Sequence, residues 1–202
     1  MPDSEPPRSP SGEHLLDVAM GVFYAEGIRA TSVDSLAGRA GVSKPTLYAQ
    51  FGSKQELVAA VLERRHRQRQ AALERYLEDH PGTPTEQILA VFDWLAEGHT
   101  REGFRGCPFT NAAVELTQPA DPARRVISGY KRWLRQTLVQ LARRAGIAAP
   151  EEIGFALLLL IDGANARVVV DGDRSAMRRA KAVAARVIGA DHAGRAEVIL
   201  GN

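Results

Sequence analysis

The chain has one cysteine, Cys107, in 202 residues. That excludes an intrachain disulfide and suits a reducing compartment. Its opening, M-P-D-S-E-P-P-R-S-P-S-G, lacks the apolar core of a signal peptide and reads as a disordered tail over residues 1–10. The most apolar run, Phe155–Val170, is sixteen residues long, interrupted by Asp162, Asn165 and Arg167, and so falls short of the roughly 20 needed to span a bilayer. No membrane partner is expected, and the location implied is cytoplasmic. Neither charge sign dominates: 26 Lys/Arg against 24 Asp/Glu leave a net +2. No period-2 strand pattern persists, and no 20–50-residue repeat occurs. His99, Glu102 and Cys107 lack the spacing of metal ligands, so no metal or cofactor is expected. Asp93, His99 and Cys107 do not form a hydrolase set, and neither a nucleophile elbow nor a Gly-rich loop after a strand is present. The expectation is a chain that is not an enzyme.

What the chain does contain is helical punctuation. A first helix runs over Ser11–Glu26, with Leu15, Leu16, Val18, Ala19, Val22 and Phe23 as its apolar set and Gly27 as its stop. Thr31–Phe51 then reads as two short helices about a tight turn. Val33, Leu36, Ala37 and Ala40 give the first an apolar face, Gly41 ends it, and Val42 plugs the turn. Ser43 caps the second, and Pro45 fits its first turn, where the missing N–H costs nothing. Leu47 and Phe51 point inward at i, i+4, which leaves Lys44, Thr46, Tyr48 and Gln50 outward. A short anchored helix with that polar face has the form of a DNA recognition helix. Charge is consistent with this locally: from Arg29 to Arg69 eight Lys/Arg face three acids.

Further along, Ser53-x-x-Glu56 and Thr83-Pro84-Thr85-Glu86 are capping boxes that open two more helices. The first has a polar middle, Glu63–Gln70, which suits a connector; Arg64–Arg69 reads as its solvated face, with a second phosphate contact as the alternative. Helices follow over Phe109–Leu116, Ala123–Ala145, Glu151–Val170 and Arg174–Ile188, the last trailed by a tail over residues 191–202. The fold class is all-α.

The run G-V-S-K-P-T-L-Y-A-Q-F-G-S-K-Q-E-L, within Leu15–Leu62, closely resembles the helix-turn-helix of the tetracycline-repressor (TetR) family. The resemblance implies a DNA-binding domain over 11–62 and an effector-binding and dimerisation domain over 63–190. By residue it implies DNA contacts at Thr31, Ser32, Ser43, Lys44, Pro45, Thr46, Tyr48, Gln50 and Lys54. Lys44 suits guanine O6/N7 or a phosphate, and Gln50 suits an adenine edge. Thr31 and Ser32 suit a phosphate at a helix N-terminus.

The regulatory half is less specific. Phe92, Phe104, Phe109, Tyr130, Trp133, Phe155 and Leu159 are candidates for an apolar effector cavity, with Cys107, Asn111 and Asp162 as polar anchors, although an ordinary filled core reads the same way. The last two helices of each subunit form the dimer interface in the family, which points to Gly163, Ala166, Val170, Ala176, Ala180, Val183, Ala184 and Val187. The expected function is a homodimeric transcriptional regulator, a repressor released from a palindromic or near-palindromic duplex operator by a small-molecule effector. The alternatives are an effector-independent or Cys107-redox-tuned regulator and, more remotely, a helical enzyme or carrier.

Overall fold

The computed structural model describes the backbone of residues 8–200 and the side chains of residues 8–189. In those residues the chain is a succession of helices: α1 (Pro10–Glu26), α2 (Val33–Arg39), α3 (Lys44–Phe51), α4 (Lys54–Asp79), α5 (Pro84–Thr100), α6 (Pro108–Glu115), α7 (Pro122–Arg144), α8 (Pro150–Asp171) and α9 (Ala176–Leu200). The tail expected over residues 1–10 lies mostly outside the described residues. Ser9 and Pro10 instead begin α1, with Ser9 Oγ accepting from the Gly12 N–H at 3.2 Å. The tail expected over 191–202 is corrected as well, because α9 continues to Leu200.

Contacts divide the chain into two units, Met1–Gln68 with Pro108–Ser128, and Arg69–Cys107 with Gly129–Asn202. The boundary falls inside α4 and α7, and it places α6 with the N-terminal helices.

In the first unit, α1 buries Leu15, Leu16, Ala19 and Phe23. Gly27, at φ 94°, stops it in a conformation that a Cβ would disfavour. Ser32 caps α2 by accepting from the Ser35 N–H at 3.1 Å. The α2–α3 turn pivots on Gly41 at φ 61°, and the Val42 N–H closes back on Ala37 O at 3.0 Å. Ser43 Oγ accepts from the Thr46 N–H at 3.2 Å and starts α3. Leu47 is fully buried and Phe51 nearly so, which sets which face of α3 is left over.

In the second unit, α5 opens with a complete Thr83–Glu86 capping box, as the sequence predicts. Phe92, Ile88, Val91, Tyr130, Leu134 and Leu138 are core residues. Gly154 of α8 lies against Val139 of α7, where an added Cβ would collide, so this glycine permits the close approach of the two helices. By length and composition α8, with 22 residues, suffices to cross a bilayer. The sixteen-residue apolar run understated it, because Pro150–Gly154 lengthens the helix. Leu157, Leu158, Ile161, Ala164 and Val168 are buried, and Asp162 is ion-paired with Lys131 of α7.

Candidate nucleic-acid interface and regulatory half

α3 is held from below by Leu47 and Phe51, so its other face is exposed. Ser43, Lys44, Pro45 and Tyr48 are exposed there, Tyr48 at 43%. Thr46 is half-buried, its hydroxyl 2.7 Å from Ser43 Oγ. The Lys44 ammonium donates to Asp34 of α2 at 3.2 Å. That hydrogen bond, and then the Asp34 charge, raise its pKa above the ordinary lysine value. Both side chains are exposed, so the pair is a weak restraint that a phosphate could displace. Asp34 was not singled out in the sequence; its position two residues after the Ser32 cap, in the first turn of the neighbouring helix, was the available sign.

Three residues expected to contact DNA are turned to other uses. Thr31 is 2% exposed, and its hydroxyl donates to Gly27 O at 2.7 Å. It therefore fastens the end of α1. The Lys54 ammonium donates to Ile28 O at 2.6 Å, and burial lowers its pKa, partly offset by Glu115. Gln50 accepts from Ser9 Oγ at 3.0 Å through Oε1. Its carboxamide sits where a Cβ on Gly12 would meet it at 2.5 Å, so Gly12 leaves the space it occupies. Ser32 remains exposed at the start of α2, its hydroxyl engaged as the cap.

The local basic excess is also largely matched. Arg39 pairs with Glu26, and Arg64 with Glu13 and with Asp17, the latter at 2.7 Å. Arg65 lies 5.0 Å over the Tyr24 ring and donates to Met20 O at 3.0 Å. Arg64–Arg69 is thus no plain solvated face. Two of its arginines bind α4 to α1, and Arg69, in the second unit, donates to the Tyr130 hydroxyl at 2.9 Å beneath Trp94. The buried Tyr130 hydroxyl has its pKa pushed up to about 12, mainly by desolvation.

Sequence reasoning also missed Glu115, at the end of α6. Its carboxylate accepts from the Arg29 backbone N–H at 2.7 Å, and it fills the space beside Gly27. No local signal couples residues so far apart in the chain.

The proposed effector residues are divided between the two units. Phe109 and Asn111 lie on α6 in the first unit, where Phe109 is fully buried and edge-on to His66 at 6.2 Å. In the second unit Phe92 and Tyr130 are packed core, Cys107 is buried at 8% exposure, and the Phe104 ring lies tilted at 4.5 Å from the buried His99. Phe155 and Leu159 are corrected outright: at 51% and 56% exposure they line no interior cavity of one chain. Asp162 is taken by Lys131. A groove of about 730 Å³ exists instead among the second half of α4, α7 and the first turn of α8, and of the expected residues Trp133 alone lines it.

The dimer-interface residues divide. Ala176, Ala180 and Ala184 are buried within the chain, so for them intrachain packing is the correct reading. Gly163, Ala166, Val170 and Val183 are exposed, and Val187 is half-buried.

The profile of bacterial regulatory proteins of the tetR family matches residues 15–61. That of the tetracyclin repressor-like C-terminal domain matches residues 84–184, half of the chain. The chain belongs to the TetR family. It is a DNA-binding transcriptional regulator. The TetR-family relatives include both signs of control. The transcriptional activator FasR of Mycolicibacterium smegmatis is 36% identical over 102 residues, which span 49% of this chain and 46% of that protein. The transcriptional repressor DhaR of a Mycobacterium species is 25% identical over 174 residues, spanning 83% of this chain and 86% of that one. Among solved structures, a TetR-family transcriptional regulator from Streptomyces coelicolor is 29% identical with a TM-score of 0.81, and the match covers 90% of this chain and 95% of that one. The all-α architecture with an N-terminal helix-turn-helix is the one these TetR-family proteins share.

Proposed function

We propose that this regulator is a repressor that acts as a homodimer on a two-fold symmetric operator, in the cytoplasm, and leaves the operator when a small molecule binds its C-terminal half. The observation that carries the DNA reading is α3: its buried Leu47 and Phe51 fix a face on which Ser43, Lys44, Pro45 and Tyr48 are exposed. Lys44 supplies the cation for a phosphate or guanine, Pro45 an apolar contact for a thymine methyl, and the Tyr48 hydroxyl a phosphate donor. One such helix reads too few base pairs, and two-fold pairing of chains supplies a second about one DNA turn away, ~34–36 Å.

The pairing surface is the outer face of α8, where Phe155, Leu159, Val169 and Val170 are exposed, together with Val183 of α9. An apolar set of this kind favours a self-complementary contact with a second copy. Small Gly163 and Ala166 within it allow close helix approach. Release by an effector is a population shift, and a change from 1:99 to 99:1 takes roughly 5.5 kcal/mol of preference for the unbound arrangement.

The test is selection of duplexes from a random pool by the purified full chain, with its mass measured by light scattering. The proposal expects a two-fold symmetric enriched sequence and a dimer. No enriched sequence, together with a monomer, overturns it.

A further inference from the structure

We infer that the groove formed by the second half of α4, α7 and the first turn of α8 binds an anionic amphipath, a hydrocarbon body ending in one carboxylate. Three observations carry this. The groove, at about 730 Å³, is within the ~300–1,000 Å³ range of small-molecule sites. Its apolar side is made by Leu73, Leu77 and Trp133, of which Leu73 is fully buried and the other two are half-buried. Its charge comes from Arg135, Arg143 and Arg144 of α7, set against Glu74 of α4 and Glu151 of α8; α7 itself carries seven Lys/Arg and no acid over Pro122–Arg144.

Three of those seven cations are already engaged. Arg124 donates to the carbonyls of Ala113 and Leu116, Lys131 pairs with Asp162, and Arg143 pairs with Glu151. Arg135 and Arg144 both line the groove, are exposed, and have neither acid nor carbonyl partner among the described residues; Arg144 is the one at the end of the helix. It shares one face of α7 with Trp133, Thr137 and Gln140, at the spacing i, i+4, i+7, i+11. That stripe runs from an indole at one end to a guanidinium at the other, over about 16 Å of helix rise. An apolar body lies along the Trp133 end, against Leu73 and Leu77, while its carboxylate meets the Arg144 fork. A neutral body of the same length gains only the first contact, and a cation is repelled at Arg144.

Glu151 adds a second lever. The Arg143 ion pair holds its carboxyl below the usual carboxylate range, so it stays ionised and keeps Arg143 engaged. Removing that charge releases Arg143 beside Arg144 and strengthens the anionic end of the site.

The site stands as a ligand site by itself, and only its regulatory meaning rests on the function proposed above. The experiment is calorimetry of the full chain with sodium laurate, 1-dodecanol and dodecyltrimethylammonium, each below its aggregation threshold, with tryptophan emission followed in parallel. Saturable laurate binding, one per chain, with dodecanol and the cation about tenfold weaker or worse, is expected. Arg144→Gln weakens laurate about tenfold and leaves dodecanol unchanged; Glu151→Gln tightens laurate; Arg132→Gln, on α7 outside the groove lining, changes nothing. Absence of saturable laurate binding, equal affinity for the three probes, or an Arg144→Gln chain that binds laurate undiminished overturns the inference. The same samples are tested on a selected duplex. Lost laurate binding with intact duplex binding removes the groove site alone, and the reverse removes the operator reading alone.

Discussion

α3 and α8 leave opposite kinds of side chain uncovered. α3 has eight residues, buries Leu47 and Phe51, and exposes Lys44, Pro45 and Tyr48. α8 has 22 residues, buries six, and exposes Phe155, Leu159, Val169 and Val170. Each uncovered face has the chemistry of what would cover it. A polar, cationic face suits a duplex, and an apolar one suits a second copy of the chain. A further contrast lies within the first unit, where several polar side chains with the composition of DNA contacts are instead fasteners. Thr31 secures the end of α1, Lys54 the loop after it, and Gln50 the start of α1. Polar residue type on a helix-turn-helix therefore does not by itself mark a reader.

The strongest way to break this comparison is to place charge on the apolar face. Phe155→Glu with Leu159→Glu is expected to convert a dimer to a folded monomer in light scattering. Operator affinity should fall about a thousandfold, toward the non-specific level. A double variant that stays dimeric and keeps its affinity would remove α8 from the pairing surface.

A smaller effect separates fastener from reader. Thr31→Val leaves the Gly27 carbonyl without its hydroxyl donor, at a cost of about 1–3 kcal/mol in denaturant unfolding. The salt dependence of duplex binding by the folded fraction should not change. Smaller again, Gln50→Ala is expected to lose about 0.5–1.5 kcal/mol of stability with the selected duplex sequence unaltered. A shifted base preference at one position would instead make Gln50 a reader.

The smallest effect is a pH dependence. Burial lowers the pKa values of His99 and His66, with the Asn165 hydrogen bond partly restoring the former. The unfolded chain then takes up protons first as pH falls below about 6.5, so stability is full above that value and declines beneath it. His99→Gln should flatten part of the decline in Tm between pH 7.5 and 5.5. An unchanged slope would assign the decline to other groups.

Much of this was legible in the sequence. Ser32, Ser43, Thr83, Gly27 and Gly41 act through neighbours within a few residues, so the helix boundaries and the buried face of α3 could be read directly. The fasteners could not be read that way. Gln50 meets Ser9, Lys54 meets Ile28, and Glu115 meets Arg29, each across a stretch of chain that carries no local signal. Phe155 and Leu159 were misplaced for a different reason. Aromatic and aliphatic side chains at helical spacing look alike whether they fill a core, as Phe92 does, or remain outside, as Phe155 does. The groove was missed because its charge lies on a helix, α7, whose apolar stripe drew attention to its other face.

The most direct test compares Lys44→Ala with Lys54→Ala in duplex binding across a range of salt concentrations. The account predicts that Lys44→Ala weakens binding at least about tenfold and lowers the salt slope by about one. Lys54→Ala, once folded, should keep the slope and lose only stability. A slope that falls by about one in Lys54→Ala, with Lys44→Ala binding like the unaltered chain, would contradict it.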